Sequence, residues 1–174
     1  MTEKGSIGEI VITWYRSSLH QNSGAARTAR ARLKRCISPA EALAVAETHE
    51  LNTLLKRYGE RPSVDQLALL AIIFARLRSV NGEKLAAKFG TRTMKDGPRK
   101  LRELRFQALI RVRTRRDLIA PLRRALAVLG PDPSCNGRAL AEDLYFWNDR
   151  VRSAWCFQYF GAEFAATNQG ESVQ

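Results

Sequence analysis

Guanidinium and ammonium groups crowd two stretches of this chain. Between Arg92 and Arg124 stand twelve arginines and lysines against three acids, a net +9 out of +12 for all 174 residues. Upstream, Ser23–Cys36 carries Arg27, Arg30, Arg32, Lys34 and Arg35 with no acid at all. Elsewhere the charges nearly cancel, and the last fifty residues are net negative. Positive charge this concentrated is the footprint of a polyanion-binding surface. The abundant cellular polyanion is nucleic acid, whose phosphates reward each neutralising cation by releasing counterions.

The residue types that perform catalysis do not assemble into any pattern. His20 and His49 are isolated, and each reads as a solvated or capping histidine. Cys36, Cys135 and Cys156 are odd in number and widely spaced, which fits neither zinc ligation nor a disulfide framework. They point instead to a reducing cytoplasm. No glycine pattern matches a phosphate-binding loop or a dinucleotide fingerprint. Glu142-Asp143 read as a solvated face or a helix cap. The expectation is a protein with no catalytic residue, no metal and no cofactor.

The elements that must carry the basic residues are helices. Alternating strand patterns are scarce, and Asn-Gly occurs without strands beside it. The pattern predicts an all-α protein: a compact bundle of about eight helices, with two small lobes as a variant. One domain spans 1–164, and a polar, frayed tail follows over 165–174. Ile7–His20 has an apolar face with Trp14. Ala26, Ala29, Leu33 and Cys36 form one helical stripe in the next element. Ser38-Pro39-Ala40-Glu41 and Ser63-Val64-Asp65-Gln66 are capping boxes. The first opens a helix to about Tyr58, and the second a helix to Leu77.

That second helix holds the longest apolar run, Leu67–Ala75, well short of the roughly 20 residues of a membrane span. Further helices are expected over Glu83–Phe89, from Gly97-Pro98 to about Val112, and from an Asp117 cap to Gly130, which leaves Pro121 in the tolerated first turn. A proline-rich loop leads into a last helical region. It carries Leu140, Leu144, Trp147, Val151, Trp155 and Tyr159 at spacings of three or four.

On this frame Arg27, Arg30 and Lys34 fall at i, i+3 and i+7, beside an apolar stripe. Arg102 and Arg105 share a strip with Leu109, and Arg99 and Phe106 adjoin it. Arg111, Arg113, Arg115 and Arg116 form a loop-like cluster, followed by Arg123 and Arg124. Arginines bordering core residues are held by packing and so are pre-positioned for phosphates. Acids are too scarce nearby for a face laced by salt bridges. The tryptophans lie on apolar stripes and read as core, so no stacking platform for bases is expected. The reading is backbone-phosphate binding with little base readout.

With these features placed, the chain resembles the CasB family, the small subunit of the type I-E Cascade complex of CRISPR immunity. The resemblance runs from Trp14 to Tyr159. Its carriers are Trp14…Leu19 with the helix Gly24–Arg35, the segment Arg102–Ile110, Leu118…Leu122-Arg123-Arg124…Leu126…Leu129, and the closing Leu140…Asp143-Leu144…Trp147…Val151…Trp155…Tyr159. Ile110-Arg111-Val112-Arg113 departs from the more apolar continuation of the family.

The resemblance implies an all-α, non-catalytic cytoplasmic subunit with no membrane contact. Its implied partners are other Cascade subunits, guide RNA, target DNA and a second copy of itself paired head to tail. It would hold the displaced strand by its backbone while base pairing carries sequence. The phosphate clamps expected are Arg27, Arg30, Lys34, Arg99, Arg102, Arg105, Arg111, Arg113, Arg116, Arg123 and Arg124. Two rival readings come from other classes. One is a helix-turn-helix regulator built on Glu83–Thr93; the other is an assembly subunit whose basic face meets acidic protein.

Overall fold

Every residue from Leu67 to Ala75 is buried, and the rest of the molecule is arranged around that segment. The structure, a computed structural model, describes residues 5–170, with side chains to residue 161. Among the described residues there are ten α-helices and no strand, only two isolated bridges. They are α1 Ile7–Trp14, α2 Gly24–Arg35, α3 Pro39–Leu43, α4 Ala46–Arg57 and α5 Val64–Phe74, then α6 Leu85–Gly90, α7 Glu103–Arg111, α8 Arg115–Ala127, α9 Gly137–Tyr145 and α10 Asp149–Gly170. Buried side chains from all ten join one continuous core. The polar tail expected after Phe164 falls where no side chain is described, and its last four residues lie outside the described chain.

Local signals explain most of the boundaries. Ser63 caps α5 by accepting from the Gln66 amide, while Gln66 reaches back to the Ser63 amide. Ser6 and Glu9 do the same for α1, and Ser23 caps α2. Below α1 the chain widens into a π-helical turn, Tyr15–Leu19. The wider turn turns Trp14, Tyr15 and Leu19 all inward. Trp14 Nε1 then donates to the Glu47 carbonyl, and the Tyr15 hydroxyl to that of Leu77.

Four boundaries differ from the sequence expectation. The helix expected over Pro39–Tyr58 breaks at Ala44-Val45, where Val45 is extended and buried. The carbonyls freed by the break are taken by side chains: the Thr48 hydroxyl donates to Ala42 O and His49 to Leu43 O. Gly97-Pro98 does not open a helix. It lies in a turn closed by the Arg92–Arg99 bridge, and α7 starts only at Glu103. The cap of α8 is Thr114 rather than Asp117, so Pro121 falls in the second turn. Packing of Leu118, Ile119, Leu122, Ala125 and Leu126 outweighs the backbone bond that the proline lacks. The last helical region is two helices, α9 and α10, separated around Trp147.

Close approaches between helices use missing side chains. A Cβ on Gly90 would stand 1.9 Å from the Tyr159 carbonyl oxygen, so α6 meets α10 backbone to backbone. Gly8 lets α1 approach α9 in the same way at Arg138. Trp14, Trp147 and Trp155 are all core residues, and Phe106 stacks on Tyr159 with ring centroids 3.9 Å apart. The helix-turn-helix reading fails here: after α6 the chain forms an irregular loop, and no helix follows at the position of a recognition helix.

Candidate nucleic-acid interface

The carbonyls in the last turn of a helix have no partner within it and attract cations. In this protein arginines supply much of that need. Arg30 donates to Ala75 O and Leu77 O, just past the end of α5. Arg115 donates to Leu144 O and Tyr145 O at the end of α9. Arg152 donates to Ile110 O in the last turn of α7. Arg99 is 6% exposed; it donates to Gly90 O and Tyr159 O and lies 5.0 Å from the centres of both the Tyr159 and Phe160 rings. Its guanidinium is thus directed into the protein, pinning α6 to α10. This corrects the expectation that Arg99 faces a phosphate.

The remaining expected clamps divide into three groups. The first lies where α2, α5 and α8 converge. The carbonyl of Lys34 accepts from Arg76 at 2.6 Å and from Arg123 at 3.3 Å. Arg123 comes from a position 89 residues away, so the fold joins the two basic stretches of the sequence at this point. Arg30 borders the junction, and Arg27 is exposed one turn earlier on α2. Burial, together with the charges of Arg30 and Arg76, holds the Lys34 ammonium below its usual pKa. Burial and Arg123 lower that of Arg76.

The second group lies along α7 and α8. Arg105 and Arg124 flank a groove walled by Leu101, Ala108, Pro121 and Ala125. Lys100, Arg102 and Arg105 border the adjoining hollow with Leu104 and Val128. Arg102, Arg105 and Arg124 are all exposed, and Leu104 is 82% exposed among them. The third group is at the other end of α8. Arg111 and Arg113 are exposed around the α7–α8 link, and Arg116 pairs with Asp65 at 3.3 Å. An exposed pair like this contributes under about 1 kcal/mol and can exchange for another anion.

Arg76 is the residue that sequence reasoning missed. Its signal was its place directly after the apolar run: a cation ending a buried helix must find a carbonyl or reach water. Of the Glu142-Asp143 pair, only Glu142 acts as a cap. Glu142 accepts from the Gly8 amide at 2.8 Å, at the start of α1. Asp143 accepts from Trp155 Nε1 at 2.8 Å, and burial raises its pKa. His20 and His49 both bond to backbone carbonyls. Among the described residues no group of three or more histidines, cysteines or acids could hold a metal. No described helix is long and apolar enough to cross a membrane.

The arrangement offers a surface able to neutralise phosphates on several helices at once. Residues 29–160 match the family model of CRISPR-associated protein Cse2. No curated protein matches the sequence. The fold is similar to the crystal structure of CasB from Thermus thermophilus, with TM-score 0.64, 20% identity, and coverage of 90% of this chain and 99% of that one. It is also similar to a chain in the crystal structure of E. coli Cascade bound to a PAM-containing double-stranded DNA target. There the TM-score is 0.62 at 16% identity, covering 86% of this chain and 95% of the other.

Proposed function

Because the chain belongs to the CRISPR-associated Cse2 family, we propose that it is the non-catalytic small subunit of a type I-E Cascade surveillance complex, gripping nucleic-acid backbone within it. The observation that carries this reading is the convergence of the two basic stretches at the Lys34 carbonyl. A continuous positive path needs cations from distant parts of the chain to meet, and here α2 and α8 do. Its partners are other Cascade subunits, the guide RNA and the target DNA, and it works in the cytoplasm. Sequence is read by base pairing, so this subunit needs charge and rigid helices rather than a base code.

The clamps are Arg27, Lys34, Arg102, Arg105, Arg111, Arg113, Arg116, Arg123 and Arg124, with Arg30 and Arg76 steadying the junction. Arg99 holds the α6–α10 contact instead. Leu104 and Val128, exposed within the basic face, suit contact with a second copy or a neighbouring subunit.

The test is a fluorescence titration of the protein with single- and double-stranded oligonucleotides over a range of salt. Affinity is expected to be sequence-independent and to fall linearly on a log–log plot. The slope is about −0.7 per phosphate contacted for single strands and about −0.9 for duplex. A response flat in salt would overturn the polyanion reading.

A further inference from the structure

Two guanidinium groups and an ammonium meet at one place in this fold. Arg76 and Arg123 both donate to the Lys34 carbonyl, while the Lys34 side chain borders the same pocket. That pocket has a volume of about 260 Å³ and is walled by Leu126, Ala127, Gly130, Pro131 and Pro133. Charges of one sign so close repel, and burial weakens the screening that water would provide. The Lys34 carbonyl carries only partial charge and cannot balance them. Asp132, whose charge favours the Lys34 ammonium, is half exposed and lies 3.9 Å from Arg78, so it offsets the cluster only in part. The Nε atoms of Arg76 and Arg123 are buried and have no hydrogen-bond partner. The Lys34 ammonium makes no hydrogen bond or ion pair among the described residues. Buried donors without acceptors are costly, and more so when charged.

We infer that the junction of α2, α5 and α8 is a built site for a single phosphate group, held by Lys34 and Arg76 in the pocket bordered by Pro131 and Pro133, with Arg123 beside it on the Lys34 carbonyl. A tetrahedral oxyanion answers both lining cations together, with the Arg123 charge close behind, and a planar guanidinium fork suits it better than a spherical halide. The site deepens the proposed function: it rests on the basic faces being a polyanion surface and names one point where a backbone phosphate is seated. The same chemistry would take free inorganic phosphate.

The experiment uses the full chain, with Lys34→Gln as the principal variant and Lys56→Gln, an exposed lysine on α4, as the charge-matched control. Arg76→Gln is a second variant; because Arg76 also caps α2, Lys34→Gln carries the test if Arg76→Gln fails to fold. Thermal melts compare sodium phosphate with sodium chloride at equal ionic strength. A single-stranded oligonucleotide is titrated in parallel. The wild type and Lys56→Gln should melt higher in phosphate, and Lys34→Gln should lose that increment. Oligonucleotide affinity should fall about tenfold in Lys34→Gln, with a salt slope shallower by about 0.7.

Loss of the phosphate increment with unchanged oligonucleotide affinity upholds the phosphate site and assigns it to the free anion. No phosphate increment in the wild type, together with wild-type oligonucleotide binding in Lys34→Gln, overturns the site while leaving the polyanion reading intact. A phosphate increment in a wild type that binds no oligonucleotide upholds the site and defeats that reading.

Discussion

A single arginine in this protein answers to one of two demands, and its exposure decides which. A buried guanidinium must be paired, and the acceptors at hand are the carbonyls at helix ends. Arg30, Arg99, Arg115 and Arg152 are spent this way. Exposed arginines keep their charge for the surroundings. Asp143 shows the same economy of burial with the opposite charge. Burial raises its pKa, and the Trp155 N–H bond and Lys84 only partly oppose this. A carboxyl with a raised folded pKa binds its proton more tightly folded than unfolded. Its contribution to stability is therefore fully present below the unfolded value of about 3.9 and is lost as pH rises through the folded one. Asp143→Asn keeps an acceptor for Trp155 and removes the charge. It should be at least as stable as wild type at pH 7, with the gap closing towards pH 4. Denaturant melts at both pH values check this; a variant weaker than wild type at pH 7 but equal to it at pH 4 would show that the carboxylate is favourable.

Helix pairs in this molecule are set by what the contact lacks. α6 is only six residues long and would not persist alone. It is held because Gly90 lets it lie against the α10 backbone and because Arg99 staples the two. Gly90→Ala puts a methyl 1.9 Å from a carbonyl oxygen that cannot move without its helix. It should cost about 1–3 kcal/mol, which in a chain of this size lowers Tm by roughly 2–12 °C. Gly24→Ala, at the first position of α2 with nothing within 4 Å, should be neutral or stabilising. Equal melting temperatures for the two variants would mean that α6 and α10 can part without loss.

The whole molecule arranges its charge over three helix groups on one continuous core, and any grip on a polyanion comes from their sum. Arg102 and Arg105 are a direct handle on that sum. Both are exposed, and neither side chain makes a hydrogen bond or ion pair among the described residues. Reversing both to Glu should therefore spare the fold while weakening target-DNA engagement by the assembled complex about tenfold or more. Circular dichroism and binding on the same preparation check both halves. A folded double mutant with wild-type engagement would remove α7 from the nucleic-acid path.

Helical class, most caps and the buried α5 were legible in the residues themselves. The 3.6-residue spacing of apolar side chains and Ser–Gln or Ser–Glu boxes are local signals that operate within one turn. Concentrated charge was legible too, because composition needs no fold. The break at Val45 was not, since the carbonyls it frees are satisfied by Thr48 and His49 only once the chain turns. Nor could spacing tell which arginines face outward. The carbonyls that claim Arg30, Arg115 and Arg123 lie 45, 29 and 89 residues away along the chain. Arg99 adjoined the basic strip in the sequence and is buried in the structure; Arg76 stood outside both basic stretches and lies at their junction. Residue type determined that this protein would be positive, but only tertiary packing decided where, because a guanidinium goes to the nearest unmet carbonyl before it goes to solvent.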